Sequence, residues 1–518
     1  MYQLKMIITT IASFLLIQQA VAQVSPIYEH LPVGKYQVGF RIITIVDSSR
    51  ITKPEFNYLG EKNEGDRTRR VTIHLWYPAK KNDLRPLLRY EDYCYNHILK
   101  STKETAGDSA KNAEIFSKRR SVENWFGKTS DENWRRLMNT PMLAHSNAEM
   151  LPQKFPLLVG MLRPLSTSIV NELMASNGYM VAMVSENGFS SFASQALDAI
   201  PDMRLAILFL QRKGVIDGSR IGTFGFSGSG FSQVLFSMAD YRVKAVADIE
   251  SGIYMDQLYQ NFSASNYYAP SRLRVPFLHI FSRDLSQQEK FLSEFEQKTK
   301  FSRRYRLLLN QPGLHHWDFA AEGFTAAIFL ENRGAQAQNI RHCFEIAASY
   351  LLRFFDAVLK DDAASSRFLS DRPELKDKPD SLWSITTLAA AKPAPTAEEF
   401  QWLIRTKGLE MALSVLRETA KNDSLSDVWQ PYVLNGWGYS YLGEKKYKEA
   451  IDLFVLNTEM HPDDANLFDS LAEGYELSGD KEKMKEMSEK VMLLLNKKDT
   501  LSEPEKGLKK NAEKRLTN

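Results

Sequence analysis

The residues best suited to chemistry lie in the stretch Arg220-Ile-Gly-Thr-Phe-Gly-Phe-Ser-Gly-Ser-Gly230. A strand-like apolar run ends at Ser227, glycines surround this serine, and a helix-like segment follows over residues 231–239. A serine in a sharp turn between a strand and a helix is typical of a hydrolase nucleophile. Small neighbours permit the turn, and the N-terminus of the helix favours developing negative charge. The pattern predicts Ser227 as a nucleophile, with Ser229 standing where the common motif has its last glycine.

A serine nucleophile needs a base within hydrogen-bond reach, and the base needs a carboxylate that orients it. In hydrolases with this turn the chain order is serine, acid, histidine, so the histidine should follow the last strand. The pair His315 and His316 lies there, after a strand-like run that ends near Leu309. We predict His316 as the base because Trp317 and Phe319 would then shield the site from water, and His315 is the alternative.

Two carboxylates are candidates for the orienting acid. Glu250 ends the strand-like run that follows the serine helix, and Asp284 ends the next such run. A buried glutamate without a partner would be costly, so Glu250 in an apolar strand suggests a partner. Either position can place a carboxylate beside the base, and both stay open from the residues alone.

The elements around these residues alternate between apolar strands and helices. Strand-like runs of this part of the chain occupy residues 155–161, 179–184, 221–226, 243–249, 275–281 and 305–309. Such alternation predicts a mostly parallel sheet with helices on both faces. Two alternating runs near the start, residues 36–46 and 70–77, fit antiparallel strands at its edge. The polar residues 81–152 between them and the first parallel strand are predicted to form an excursion or cap.

The composition is that of an ordinary globular protein, with 43% apolar and 25% charged residues and a net charge of +3 over 518 residues. It has no basic stripe, which argues against a nucleic-acid partner. Residues 1–22 have the pattern of a signal peptide cut after Ala22, which predicts a secreted or periplasmic protein without a transmembrane segment after cleavage. Whether Cys94 and Cys343 pair is open, and no ligand spacing for a metal is present, so no cofactor is expected.

The C-terminal part of the chain has a different sequence pattern. Residues 361–395 are charged and rich in Pro, Ala and Ser, which predicts a linker. Residues 396–497 have a helical pattern in which Ala450 and Met484 lie 34 residues apart, the spacing of tetratricopeptide repeats. We expect a small all-α domain that offers a surface to a protein partner, followed by a flexible tail over residues 498–518.

Several short motifs, taken in order, resemble the plasma-type platelet-activating-factor acetylhydrolases, which belong with dienelactone-hydrolase-like enzymes to the α/β-hydrolase fold. The motifs are Tyr36-Gln-Val-Gly-Phe, Leu75-Trp-Tyr-Pro-Ala, Phe155-Pro-Leu-Leu-Val, Ser176-Asn-Gly-Tyr-Met-Val-Ala, Gly225-Phe-Ser-Gly and His316-Trp-Asp-Phe. The resemblance covers about residues 30–360 and implies this fold over 23–360. It favours Glu250 as the acid, a glutamate in place of the usual aspartate, and related hydrolases keep Asp284 open. It also implies a short-chain or oxidised phospholipid ester as substrate.

The oxyanion of an ester intermediate should be bound by the N–H of Gly228 and by an N–H from the loop after the strand that begins at Phe155. That loop lacks the histidine-glycine pair of the family. Leu162 is our predicted second donor, with Arg163 as the alternative, since Pro164 has no N–H.

Together these residues predict an exported enzyme that transfers an acyl group from an ester to water. Met161, Phe226 and Trp317 would form an apolar surface for the acyl group. A carbohydrate acetyl ester or a peptide are alternative substrates. Two further alternatives are a hydrolase-fold binding protein that acts through its repeats and a glycine-rich turn whose serine is idle.

Overall fold

The computed structural model describes residues 25–51, 55–56, 59–62, 67–81, 85–95, 108–162, 165–185, 192–253, 256–282, 289–371, 375, 377–420, 423 and 426–517. The predicted signal peptide over 1–22 lies outside these residues, as do Arg163, Pro164 and Asp284. The chain divides into two compact units, Met1–Ala390 and Ala391–Asn518.

The first unit is built on a sheet that has 11 strands among the described residues. Its strands in chain order are β1 (Gln37–Ile51), β2 (Thr68–Ala79), β3 (Leu87–Arg89), β4 (Pro141–Ser146), β5 (Phe155–Leu162), β6 (Met180–Ser185), β7 (Ile216–Phe226), β8 (Val243–Ile249), β9 (Phe277–Ser282), β10 (Arg304–Leu309) and β11 (Trp383–Leu388). Their spatial order is β11-β10-β9-β8-β7-β5-β6-β2-β1-β4-β3.

The central strands β6, β5, β7, β8, β9 and β10 are parallel to one another. The antiparallel pairs β1–β2, β2–β6, β3–β4 and β10–β11 lie towards the edges. The predicted α/β class with a mostly parallel sheet is therefore confirmed. Because parallel strands end at the same edge, the turns after β7, β8 and β10 meet there.

Helices cover the two faces of this sheet. Those of the first unit are α1 (Tyr90–Tyr95), α2 (Asp108–Phe126), α3 (Asp131–Met138), α4 (Ser168–Ser176), α5 (Phe192–Arg212), α6 (Gly228–Ala239), α7 (Asp256–Ser263), α8 (Glu289–Lys298), α9 (Ala321–Phe329), α10 (Ala337–Leu359) and α11 (Ala363–Asp371). Buried side chains of α4, α9 and α10 pack on one face with Phe224 and Phe226, and those of α5 to α8 pack on the other with Ile221.

The predicted excursion over residues 81–152 contributes both strands and helices. Its strand β4 runs parallel to β1, and β3 pairs antiparallel with β4, so the excursion widens the sheet. Its helices α2 and α3 lie against α9, where Lys118 pairs with Glu322 at 2.9 Å, and Asn133 donates to Glu331, just beyond the end of α9, at 2.9 Å. Helix α9 directly follows the turn that holds His316, so the excursion packs beside that turn.

The stretch 361–395 differs from the predicted linker. It contains α11 and strand β11, and β11 pairs along its whole length with β10. Trp383, the first residue of β11, is buried against Tyr350 with ring centroids 5.1 Å apart. Because β11 is an edge strand, several of its side chains are partly or wholly exposed. Polar residues fit such positions, and a polar stretch resembles a linker in sequence.

The second unit is helical in the part that the structure describes. Its helices are α12 (Ala397–Lys407), α13 (Leu409–Ala420), α14 (Pro431–Gly443), α15 (Tyr447–Met460), α16 (Ala465–Ser478), α17 (Lys481–Leu495) and α18 (Glu503–Thr517). From α14 onward each helix packs on the next, as repeats would require, whereas α13 packs on α12 and α15, and the tetratricopeptide assignment stays a prediction. The predicted flexible tail instead forms α18, because Arg515 reaches Asp469 at 2.6 Å and Glu476 at 2.7 Å.

The structure also bears on the predicted absence of a transmembrane segment and on the pairing of the two cysteines. Among the described helices none is long and apolar enough to cross a bilayer. Cys94 and Cys343 are both buried, and they do not form a disulfide with each other. Burial raises the pKa of the Cys343 thiol to about 12, which keeps it protonated.

Candidate active site

Ser227 lies in the turn between β7 and α6, at the carboxyl edge of the sheet. Its backbone has φ = 56° and ψ = −138°, a conformation that non-glycine residues rarely adopt outside functional turns. Two hydrogen bonds hold it there: its N–H donates to the carbonyl of Ile249 at 2.9 Å, and its own carbonyl accepts the N–H of Gly230 at 2.8 Å. The hydroxyl is thereby presented at the N-terminus of α6.

The small residues around Ser227 are required by close contacts with neighbouring backbone and side-chain atoms. A Cβ added to Gly225 would lie 2.7 Å from the carbonyl carbon of Ser229, and one added to Gly230 would lie 2.3 Å from Oδ1 of Asp248. Ser229 fits in place of the usual glycine because its hydroxyl donates to the carbonyl of Phe226 at 2.6 Å.

The structure brings His316 to Ser227. Nε2 of His316 lies 2.9 Å from Oγ of Ser227, within hydrogen-bond distance. The imidazole stacks on Phe226, with ring centroids 4.9 Å apart and planes 26° apart, and contacts Trp317 edge-on at 5.6 Å. The imidazole thus packs against two aromatic rings, and the predicted shielding by Trp317 stays a prediction.

His315, the alternative base, has a different role. Its Nδ1 accepts the backbone N–H of Trp317 at 3.3 Å and so caps the short 3₁₀ helix His316–Phe319. Asp318 completes this capping box by accepting the N–H of His315 at 2.8 Å. The buried Asp318 carboxylate also pairs with Arg333, so an ion pair fastens the turn that carries His316.

Glu250 follows directly after β8, the strand next to β7. Its backbone also has a positive φ, 49°, and its N–H donates to the carbonyl of Ile280 at 2.8 Å. The carboxylate is buried and accepts two hydrogen bonds from Ser282 of β9, from the N–H and from the hydroxyl, each at 2.8 Å. The expected partner of Glu250 therefore includes Ser282, which sequence reasoning missed although it ends the neighbouring strand.

The predicted oxyanion donors lie on two elements at the same edge. Gly228 is the first residue of α6, where helix N–H groups lack intrahelical partners. Leu162 is the last residue of β5, the strand beside β7, and pairs in register with Ser185 of β6. The apolar surface predicted from sequence is only partly present, since Met161 packs with the helices on the opposite face of the sheet from Phe226.

A tryptophan of the excursion also belongs to this region and was not predicted. The ring of Trp125, near the end of α2, lies 5.0 Å from that of His315 and 6.1 Å from that of Trp317. No local pattern in the polar residues 81–152 marks this contact, because it joins segments about 190 positions apart in the chain.

Comparison with known proteins gives similarity of structure only. No described protein family and no curated protein matches the chain. Among solved structures 270 chains match. One is a ferulic acid esterase from Streptomyces cinnamoneus, with 19% identity, a TM-score of 0.47, and coverage of 69% of this chain and 98% of that one. Another is the AtxE2 isopeptidase without ligand, with 12% identity, a TM-score of 0.36, and coverage of 65% and 43%. The chain thus spans less than half of the isopeptidase.

Proposed function

We propose that this protein is a serine hydrolase that cleaves carboxylic esters through Ser227, His316 and Glu250. The observation that carries the proposal is the distance of 2.9 Å between Nε2 of His316 and Oγ of Ser227, with the serine held at a positive φ at the start of a helix. A hydroxyl and an imidazole in this relation form an activated nucleophile. The buried position of Glu250 next to the serine strand supports its role as the acid that orients the imidazole.

The reaction proceeds in two halves. Oγ of Ser227 attacks the ester carbonyl while Nε2 of His316 takes the hydroxyl proton, and the N–H groups of Gly228 and Leu162 bind the oxyanion. The imidazolium then gives that proton to the departing alkoxide, which leaves as an alcohol and yields an acyl-serine. Water attacks the acyl-serine, His316 again takes and returns a proton, and the carboxylic acid is released.

The family resemblance of the motifs supports a short-chain or lipid ester as the substrate. Carbohydrate acetyl esters and peptides are the alternatives to include in a substrate panel, since the same triad cleaves them. We further propose that residues 1–22 direct export and are removed after Ala22, which N-terminal sequencing of the mature protein tests. The helical second unit is proposed to bind a protein partner.

Hydrolysis of p-nitrophenyl acetate by the wild type and by Ser227→Ala tests the function. We expect the wild type to turn over and to be labelled by a fluorophosphonate, and Ser227→Ala to show neither. Ser229→Ala is the matched control, because it removes a neighbouring buried hydroxyl that bonds only to the Phe226 carbonyl among the contacts described above. If the wild type is neither active nor labelled, the protein is a binding protein on a hydrolase-like fold.

A further inference from the structure

Trp125 is unusual because a large apolar side chain is left in solvent beside the catalytic base. It is 53% exposed, while its neighbour Phe126 is buried. Indole is among the side chains that gain most from burial, so an indole left exposed beside the turn that carries the base is suited to binding a ligand.

Several contacts fix Trp125 in this place. Phe126 packs under the guanidinium of Arg333 at 4.9 Å, and Arg333 pairs with Asp318 of the turn that carries His316. On the preceding turns of α2, Lys118 pairs with Glu322 of α9 at 2.9 Å. The end of α2 is therefore fastened to the same turn as the base, and Trp125 does not depend on a ligand for its position.

The rings of this region form a continuous series that leads from the base to solvent. The ring of Trp317 lies 5.6 Å from that of His316 and 6.1 Å from that of Trp125, which in turn lies 5.0 Å from His315. Adjacent rings are tilted by 48° to 73°, within the range of separations and tilts that aromatic groups prefer. We refer to Trp125 and Trp317 as the indole shelf.

We propose that the indole shelf binds a flat aromatic group of the ester, so that the preferred substrates are esters with an aromatic acid or an aromatic alcohol. This inference rests on the proposed function and narrows it. An aromatic ring of the substrate would extend the series of protein rings at the same spacing. It would gain the edge-to-face attraction to the indoles that an alkyl chain lacks. The acidic side chains near the shelf, Asp318 and Glu322, are paired with Arg333 and Lys118, so the bound group needs no charge.

The test compares two aromatic esters, benzyl acetate and methyl 3-phenylpropanoate, with two alkyl esters of similar size, hexyl acetate and methyl hexanoate, by pH-stat. We expect the wild type to have a higher kcat/KM for at least one aromatic ester than for its alkyl counterpart. Trp125→Ala should lower kcat/KM for that ester about tenfold, mainly through KM, and Trp125→Phe should retain most of it. The alkyl esters should change less than twofold.

The matched control is Trp402→Ala, which removes a tryptophan of similar exposure, 51%, from α12 of the other unit. It should leave all four rates unchanged. An equal loss on aromatic and alkyl esters in Trp125→Ala would assign Trp125 a packing role and overturn the inference, as would no loss on either.

A binding experiment distinguishes failure of the proposed ester hydrolysis from failure of the indole shelf. Calorimetry with Ser227→Ala measures the Kd of benzyl acetate and of hexyl acetate without turnover. One outcome is that no ester is hydrolysed, that benzyl acetate binds Ser227→Ala more tightly than hexyl acetate does, and that the two bind Ser227→Ala/Trp125→Ala equally. This outcome would support the indole shelf and contradict the esterase proposal. If the two ligands bind equally, the shelf is overturned whatever the activity.

Discussion

Ser282 donates two hydrogen bonds to Glu250, one from its backbone N–H and one from its hydroxyl, each 2.8 Å long. Ser282 ends β9, Glu250 directly follows the neighbouring parallel strand β8, and Glu250 has a positive φ. A buried carboxylate that accepts two such bonds is held in one orientation. This is what an acid that orients an imidazolium requires.

Glu250→Gln should therefore lower kcat about a thousandfold, since the amide no longer stabilises the imidazolium. Ser282→Ala removes only the hydroxyl donor and should cost about tenfold, the effect of one hydrogen bond to a charged group. Steady-state kinetics with p-nitrophenyl acetate measures both. Glu149→Gln, on an exposed carboxylate, is the control for loss of a negative charge. A larger loss in Asp284→Asn than in Glu250→Gln would move the acid to the next strand.

The serine and the sheet could be predicted from sequence because they depend on local pattern. An apolar run, a serine between glycines and a helix-like segment define the turn at Ser227 wherever they occur together. The central strands are apolar at successive positions and not only at alternate ones. Such strands are buried on both faces, as in a parallel sheet covered by helices on both sides.

The choice between His315 and His316 could not be made with the same security. The two residues are adjacent in one loop, and only the 3₁₀ turn, capped by the first and by Asp318, decides that the second reaches Ser227. The roles of Ser282 and Trp125 depend on which strands are neighbours and on where an insertion packs. Neither is encoded by residues close in the chain. Strand β11 was missed because its edge position leaves polar residues on its exposed side.

Asp318 should act as a positioning residue for His316. Burial raises the pKa of Asp318, and the nearby Arg333 opposes that rise. Asp318→Asn keeps an oxygen for the N–H of His315 but removes the ion pair, so the turn loosens. We expect kcat to fall about tenfold with KM unchanged, because the hydrogen bond to Ser227 is less often formed. Pre-steady-state acylation rates on p-nitrophenyl acetate provide the readout.

Two further variants separate positioning from folding. Arg333→Met leaves the Asp318 charge buried without its partner and should destabilise the first unit by about 3–5 kcal/mol in chemical denaturation. Asp131→Asn breaks an exposed pair with Arg119 and should change neither stability nor rate appreciably. Unchanged acylation in Asp318→Asn would show that the capping box alone holds the base.

Gly225→Ala should damage the serine turn. The added methyl group would lie 2.7 Å from the carbonyl carbon of Ser229, which belongs to the backbone of α6 and cannot rotate away. We expect a loss of about 1–3 kcal/mol in the free energy of unfolding and a larger loss of activity, because α6 must shift. Gly436→Ala is the matched control: it lies in α14 with no atom within 4 Å of the added Cβ, and it should stabilise slightly. Wild-type activity in Gly225→Ala would contradict the tight turn.

Glu172 of α4 should make the stability of the first unit depend on pH. This buried carboxyl accepts hydrogen bonds from the hydroxyl of Tyr28 at 2.5 Å, the hydroxyl of Tyr93, and the N–H groups of Leu143 at 2.6 Å and Ala144 at 3.2 Å. Burial raises its pKa from 4.5 to about 7, although these donors oppose the rise. The folded state therefore binds more protons than the unfolded state between these two values, and stability falls as pH rises through this window.

Chemical denaturation between pH 4.5 and 8 measures this dependence. The wild type should lose up to about 3 kcal/mol by pH 7 and then level off, since each unit of pKa shift corresponds to about 1.4 kcal/mol. Glu172→Gln cannot titrate, so its profile should be flatter, although it is less stable throughout because its amide N–H₂ faces donors. Asp318 has a raised pKa too, and it contributes a slope of the same sign in both proteins. The difference between the two profiles isolates Glu172, and parallel profiles would show that the four donors keep it ionised in the folded state.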